Sequence, residues 1–167
     1  MLGSGPIPTR RLPDAPAFSQ DLLRLETISL AGLPAVEVMS PAGAEYRCAA
    51  PSAPNLLCLS GLGTDAFSFL RQLPLGCMAH LHCLQTAAAA APGERGMGHF
   101  ARYVEAYIQA RGLESGGGVV LLGTSMGGAV ALATAIRARV RLRGLILAGT
   151  FGHARHVSFP AQPPGQP

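Results

Sequence analysis

One segment in the middle of the chain, GVVLLGTSMGGAVALATAIRARV from Gly118 to Val140, constrains the fold more than any other. It opens with an apolar, partly β-branched run that favours a buried strand. Glycines then break the run at Gly123–Gly128, and an Ala-rich run ending in arginines follows, which favours a helix. We therefore predict a strand over Val119–Leu122 and a helix over Met126–Arg137, with Ser125 in the turn between them.

Strand-like and helix-like segments alternate along much of the remaining chain. The strand-like segments are short, and they are LETISL, PAVEVMS, NLLCL, MAHLHCLQT and LRGLILAGT. A turn is expected at Gly32–Pro34 between the first two of them. Asp65 is suited to cap a helix through AFSFLRQL, because its short carboxylate can accept a hydrogen bond from a free N–H of the first turn.

The clearest helical pattern begins at His99, after a loop with the sequence AAAAAPGERGMG. Its apolar residues recur at spacings of three and four, so they share one helix face: Phe100, Tyr103, Val104, Tyr107 and Ile108. Gly112 follows at the position where many helices end in a left-handed residue. These features predict a helix from His99 to Arg111.

The later strand-like segments are continuous apolar runs separated by helices, a pattern typical of a mostly parallel sheet covered on both faces. We therefore expect an α/β fold, a mostly parallel sheet with helices on both faces, over residues 21–152. The last strand is expected to be buried, yet it would leave an exposed edge at Leu145–Ala148 unless a partner or a dimer covers it. The Pro-rich segments 1–20 and 153–167 are expected to form a poorly ordered arm and a tail.

Composition argues against several classes of function. The net charge of +4 comes largely from a local cluster of arginines, and no aromatic residue lies between Met126 and Thr150, so nucleic-acid binding is not expected. The four cysteines have neither CxxC spacing nor a zinc pattern, which favours free thiols in a reducing compartment and a cytoplasmic location. The chain contains no lysine, which excludes a Walker phosphate loop. We expect no metal and no cofactor.

A membrane-spanning helix is an alternative interpretation of one stretch. Ser115–Ile136 has no charged residue and is long enough to cross a bilayer. Several glycines and the polar pair Thr124–Ser125 interrupt it, however, and its β-branched and Ala-rich halves fit two short elements better. The N-terminus also lacks the apolar stretch of a signal peptide. We therefore expect no membrane association.

The turn itself, Gly123-Thr124-Ser125-Met126-Gly127, matches the pattern G-x-S-x-G. In that pattern a serine lies on a sharp strand-to-helix turn, and the flanking glycines allow the helix to approach the strand closely. The turn exposes the serine hydroxyl and directs the following N–H and the helix N-terminus toward the same space. The alternative is an ordinary glycine-rich turn of a doubly wound fold.

With this turn between an apolar strand and a helix, the chain resembles proteins of the α/β-hydrolase fold, over roughly Ile28–Gly152. In that family the loop after the third strand provides a second backbone donor for the developing oxyanion. The matching loop here is Ser60–Thr64, so the resemblance implies an oxyanion hole formed by the N–H groups of Leu62 and Met126. Ser60 stands where the family often has histidine, which leaves the backbone donor in place.

The family's acid and base have no matching residues here. The family order is serine, acid, histidine, but the last acidic residue of this chain is Glu114. His153 and His156 follow Ser125, but they precede the further strands after which the family's base normally comes. They are better explained as solvated tail residues, and either becomes a candidate base only if the tail folds over the turn.

Three other ionisable residues invite a functional interpretation, but a structural one is preferred. His80 and His82 are expected on one face of a strand, packed or on the surface, and a metal site there would need a third ligand. Asp65 lies beside the predicted oxyanion loop, where helix capping is its first expected role.

Two functions remain. The first is a serine hydrolase, in which Ser125 attacks the carbonyl of an ester or thioester in a small acyl substrate. The second is a catalytically incomplete, truncated or decayed α/β-hydrolase module that binds an acyl ligand or a partner. An incomplete module that keeps an oxyanion hole would still hydrolyse esters weakly. In the enzymes studied, loss of a triad member leaves about 10³–10⁴-fold rate enhancement.

Overall fold

The computed structural model describes residues 22–47, 50–85 and 96–151. Within these ranges the regular elements are β1 (Leu23–Leu30), β2 (Leu33–Pro41), β3 (Asn55–Leu59), β4 (His80–Leu84), α1 (Met97–Ala110), β5 (Val119–Thr124), α2 (Met126–Arg137) and β6 (Leu142–Ala148). A 3-10 helix spans Ala66–Cys77, and a short 3-10 turn spans Ala44–Tyr46. The predicted arm and tail, with His153 and His156, lie outside the described residues.

The strands form one six-stranded sheet in the order β1-β2-β4-β3-β5-β6. Strands β4, β3, β5 and β6 are parallel to one another, whereas β1 and β2 form an antiparallel hairpin that pairs with β4 in the antiparallel direction. Along the chain, a helix separates each of these four parallel strands from the next, because a tight turn cannot return the chain to start a parallel strand. The predicted α/β fold with a mostly parallel sheet is confirmed.

The hairpin turn differs from its predicted position. It lies at Ala31–Gly32, and β2 already begins at Leu33, so the predicted turn over Gly32–Pro34 is wrong in its extent. Gly32 has a φ of +70°, a conformation that two-residue hairpin turns often require and that glycine adopts without strain. The single glycine is sufficient to reverse the chain, and Pro34 is left inside the strand.

The two faces of the sheet are covered differently. Both α-helices pack on one face, where Tyr103, Tyr107 and Val130 lie against strand residues such as Leu57 and Leu121 in the larger core cluster. Helix α1 begins at Met97, two residues before the predicted start, and ends as predicted before Gly112, whose φ is +60°.

The opposite face is covered by the 3-10 helix, whose Phe69 and Leu73 pack over Cys58 and Cys83. A helix was predicted here, and the observed helix has the tighter 3-10 geometry instead of the α-helical one. Pro74 lies inside it and has no N–H to donate. Asp65 caps it as predicted, because its Oδ1 accepts a hydrogen bond from the Phe67 N–H at 2.9 Å.

The burial predicted for the last strand is wrong. Leu145, Ile146 and Leu147 of β6 are 37%, 48% and 41% exposed. Among the described residues β6 pairs only with β5, so one side of the strand has no neighbour. The apolar run therefore forms the exposed edge that the sequence also suggested.

In the described ranges, no helix has both the length and the apolar character needed to cross a membrane. The uncharged stretch Ser115–Ile136 contains β5, the serine turn and most of α2. The two-element interpretation of this stretch is thus confirmed.

Candidate active site around Ser125

Ser125 lies between β5 and α2, as predicted, in an unusual backbone conformation. Its φ is 49° and its ψ is −119°, and a positive φ is uncommon for residues other than glycine. Such conformations cost about 1–3 kcal/mol and occur often at functional sites. The side chain is exposed at the end of the sheet. This is the sharp strand-to-helix turn that the sequence pattern predicts.

The glycines of the turn are required by close backbone contacts. A Cβ on Gly123 would lie 2.5 Å from the carbonyl oxygen of Gly127. A Cβ on Gly127 would overlap the carbonyl oxygen of Leu59 and lie 2.6 Å from that of Ser60. Both contacts are with backbone atoms, which cannot rotate away as a flexible side chain could. Any side chain at either position would therefore force the helix and the strand apart.

The end of β6 holds the turn from the other side. The Ser125 N–H donates to the carbonyl of Ala148 at 3.2 Å, and the Thr150 hydroxyl donates to the carbonyl of Ser125 at 2.6 Å. That carbonyl also accepts from the N–H groups of Gly128 and Ala129. Sequence reasoning missed Thr150, since nothing local to it indicates a contact with a turn that precedes it by a whole helix.

The predicted oxyanion loop lies against Ser125. A Cβ on Gly61 would lie 3.2 Å from the Cβ of Ser125, so only a residue without a side chain allows this approach without displacement. The loop is tightened by Thr64, whose N–H and hydroxyl both donate to the carbonyl of Gly61, at 3.3 and 3.0 Å. Among the described residues, the N–H groups of Leu62 and Met126 donate to no other group. The role of these two N–H groups as oxyanion donors, and their convergence on one point, stay predictions.

A pocket of about 390 Å³ opens beside Ser125. Its apolar lining comes from Leu62, Phe69, Leu122 and Ala148, and its polar lining from Thr64, Ser68, Gln72, Thr124 and Ser125. None of these side chains carries a charge. The loop after β3, the 3-10 helix, the end of β5 and the end of β6 all contribute, so the pocket exists only when these elements pack together.

The ionisable residues considered as catalytic candidates lie elsewhere. Asp65 lines a separate small cleft with Glu37, and its carboxylate is engaged in capping the 3-10 helix. His80 and His82 line another pocket, between β2 and β4. The structural interpretation of all three residues is confirmed for the part of the chain that the structure describes.

His82 is held neutral by its surroundings. Its Nδ1 lies 2.9 Å from the Tyr107 hydroxyl, and the two rings meet edge to face. Burial, together with the positive charge of Arg111 and the neighbouring His80, lowers the pKa of His82 from 6.5 to about 4. The same burial raises the pKa of Tyr107 to about 12. His82 thus belongs to the packing between β4 and α1.

No group of three or more histidine, cysteine, aspartate or glutamate side chains that could bind a metal occurs within residues 22–47, 50–85 and 96–151. Cys58, Cys77 and Cys83 are buried, and none of the three forms a disulfide. Cys58 and Cys83 lie in the core beneath the 3-10 helix, and Cys77 is the last residue of that helix. None of the three lines the Ser125 pocket, and Cys48 lies outside the described residues.

Neither a protein-family model nor a curated protein sequence matches the chain. Its structure, however, is similar to many solved ones. A bacterial membrane phospholipase A aligns with a TM-score of 0.64 and 22% identity, over 86% of this chain and 43% of the phospholipase. A carboxylesterase from Bacillus subtilis aligns with a TM-score of 0.59 and 14% identity, over 76% of this chain and 44% of the esterase.

A haloalkane dehalogenase from Agrobacterium tumefaciens also aligns, with a TM-score of 0.60 and 19% identity, over 78% of this chain and 42% of the dehalogenase. The chain therefore has the α/β-hydrolase fold, and it spans less than half the length of these three structures. Because the matched proteins include an esterase and a dehalogenase, the fold alone does not select the bond that is broken.

Proposed function

We propose that Ser125 is the nucleophile of a hydrolase that acts on the carbonyl carbon of an ester or thioester. The observation that carries this proposal is the strained turn, which exposes the Ser125 side chain in an uncharged pocket. Among the described residues, the N–H groups of Leu62 and Met126 donate to no backbone carbonyl, which supports their proposed role as oxyanion donors. A serine used only as a turn residue would gain nothing from a positive φ that glycine adopts more easily.

The reaction would proceed in two stages. The Ser125 oxygen attacks the carbonyl carbon while its proton passes to a base, and the N–H groups of Leu62 and Met126 stabilise the negative charge on the carbonyl oxygen. The C–O or C–S bond to the leaving group breaks, and the leaving group takes a proton. Water then attacks the acyl-serine and releases a carboxylic acid, which restores the Ser125 hydroxyl.

The base would come from outside the described residues, where His153 and His156 are candidates. Within the described ranges no ionisable side chain lines the pocket. An activated leaving group such as p-nitrophenolate needs little protonation, whereas an ordinary alkoxide needs a general acid. We therefore expect the 167-residue chain to hydrolyse p-nitrophenyl acetate slowly and ordinary alkyl esters hardly at all. A cytoplasmic location is part of the proposal.

The alternative is a binding module that holds an acyl ligand or a partner without turnover. The uncharged pocket favours it, because a serine without a base stays protonated and is a poor nucleophile. The two functions differ in one property: only the hydrolase depends on the Ser125 oxygen.

The experiment compares the purified chain with Ser125→Ala, and uses Ser52→Ala, an exposed serine away from the pocket, as the matched control. We expect Ser125→Ala to reduce p-nitrophenyl acetate hydrolysis to the uncatalysed rate and Ser52→Ala to leave it unchanged. A fluorophosphonate probe should add its mass to the peptide containing Ser125. If Ser125→Ala changes neither rate nor labelling, the binding module becomes the better description.

A second comparison tests the base. If the chain hydrolyses ordinary alkyl esters efficiently, and both Ser125→Ala and the double variant His153→Ala/His156→Ala abolish it, the tail histidines complete the site. The expectation of an incomplete catalytic apparatus would then be wrong.

A further inference from the structure

Gln72 is a polar residue of the Ser125 pocket with a buried side-chain atom that has no hydrogen-bond partner. It lies on the 3-10 helix and lines the pocket, and its Oε1 is buried without a hydrogen-bond partner. The hydroxyls of Ser68 and Thr64, which also line the pocket, donate to the carbonyls of Asp65 and Gly61 at 2.7 and 3.0 Å. Gln72 thus differs from these two neighbours, whose polar groups are satisfied within the protein.

An unpaired buried amide is unfavourable, at about 1–3 kcal/mol for a donor or acceptor without a partner. Rotating the amide by 180° would place its NH₂ at the same position, so a ligand group that can both donate and accept suits either orientation. A ligand that supplies the missing hydrogen bond would therefore bind more tightly than one of the same shape that does not.

The chemistry of that ligand group follows from the pocket. No charged side chain lines it, so a charged ligand group would be desolvated without compensation. A hydroxyl both donates and accepts, and it can pair with the amide in either orientation. The apolar Phe69 and Leu122 suit the carbon chain that would carry such a hydroxyl.

We propose that Gln72 determines specificity at the Ser125 site by binding a hydroxyl on the carbon chain of the substrate. The preferred substrate class is then a short, uncharged hydroxyacyl ester rather than the plain acyl ester. This inference rests on the proposed function of Ser125 for its kinetic consequence, but the binding preference itself does not require turnover.

The kinetic test compares p-nitrophenyl butyrate with the 2-hydroxy and 3-hydroxy forms of the same ester. We expect kcat/KM for at least one hydroxylated ester to exceed that for the plain ester by about tenfold, which corresponds to about 1.4 kcal/mol. Gln72→Met, which keeps the length and removes the amide, should bring the ratio to about one. Gln109→Met, on the exposed surface of α1, is the matched control and should keep the ratio.

A binding measurement separates this inference from the proposed function. NMR titration of Ser125→Ala with butyramide and its 2-hydroxy and 3-hydroxy forms should show the same preference, and Gln72→Met in that background should remove it. If the wild type hydrolyses none of the esters but the preference is present, the inference stands and the hydrolase proposal fails. If the wild type and Ser125→Ala show no preference, or if Gln72→Met or Gln72→Leu retains it, the inference is wrong.

Discussion

Strands β5 and β6 run side by side in the same direction, and both are apolar runs that look alike in the sequence. Leu121 of β5 is paired in register with Leu145 of β6, yet Leu121 has no exposed surface and Leu145 is 37% exposed. Strand β5 lies between β3 and β6 and is covered by α2, whereas β6 has a neighbour on one side only in the described chain.

The turns that follow the two strands differ in the same way. After β5, Gly127 is in contact with the backbone of β3 and leaves no room for a side chain. After β6, Gly149 has a φ of +56° but open space where a Cβ would lie. One glycine is required by packing and the other by backbone conformation alone. Two apolar strands that look alike in the sequence, each followed by a glycine, can thus differ strongly in how closely their surroundings pack against them.

The largest expected effect comes from exchanging these glycines for alanine. Gly127→Ala should destabilise the fold by more than about 4 kcal/mol or prevent folding, because the new methyl group would overlap backbone atoms of Leu59. Gly149→Ala should cost about 1–2 kcal/mol, the strain of a left-handed alanine in open space. Urea unfolding measures both values. Similar losses for the two variants would contradict the comparison.

The paired leucines provide the next test. Leu121→Ala should lower the free energy of unfolding by about 2–5 kcal/mol, because it leaves a cavity in a closely packed core. Leu145→Ala should lower it by about 1 kcal/mol or less, because a large part of that side chain is already in water. If Leu145→Ala is as costly as Leu121→Ala, a further part of the chain or a partner covers β6 in solution.

The pH dependence of stability measures how well α1 covers β4, on the other side of β3 from β5. The unfolded chain takes up a proton at His82 near pH 6.5, whereas the folded chain resists it until about pH 4. The stability associated with neutral His82 is therefore complete above about pH 6.5 and is lost as the pH falls toward 4. The loss should be on the order of 3 kcal/mol, at about 1.4 kcal/mol per pKa unit.

Replacing the imidazole isolates this contribution from those of other titrating groups. His82→Gln should flatten the difference in unfolding free energy between pH 6.5 and 4, while His80→Gln on the same strand should keep most of it. An unchanged pH dependence in His82→Gln would show that α1 does not cover this face of β4 as closely as α2 covers β5.

The smallest expected effect concerns the hydrogen bond by which Thr150, which follows β6, supports the Ser125 turn at the end of β5. Thr150→Val keeps the shape of the side chain but removes its hydrogen bond to the Ser125 carbonyl, which should cost about 1 kcal/mol. Thr27→Val on exposed β1 is the matched control and should cost almost nothing. A slower reaction with p-nitrophenyl acetate in Thr150→Val alone would show that the turn geometry depends on this bond.

Much of the local structure could be predicted from the sequence. The strand, the serine turn and the helix around Ser125 follow from residues within a short stretch, because apolar periodicity and glycine placement act on near neighbours. The same holds for the Asp65 cap and for Gly112 at the end of α1. The parallel arrangement also followed, since apolar runs separated by helices have few other ways to pack.

The tertiary structure alone decided how completely each element is covered and which distant residues meet. It placed β6 at the edge of the described sheet, replaced an ordinary helix by the 3-10 helix that contains Pro74, and brought Thr150 and Gln72 to the site of Ser125. How deeply a residue is buried and which residues it contacts depend on parts of the chain that are distant in the sequence. The residues that flank it in the sequence therefore do not reveal either property. For that reason the serine could be found from five consecutive residues, whereas its pocket could not.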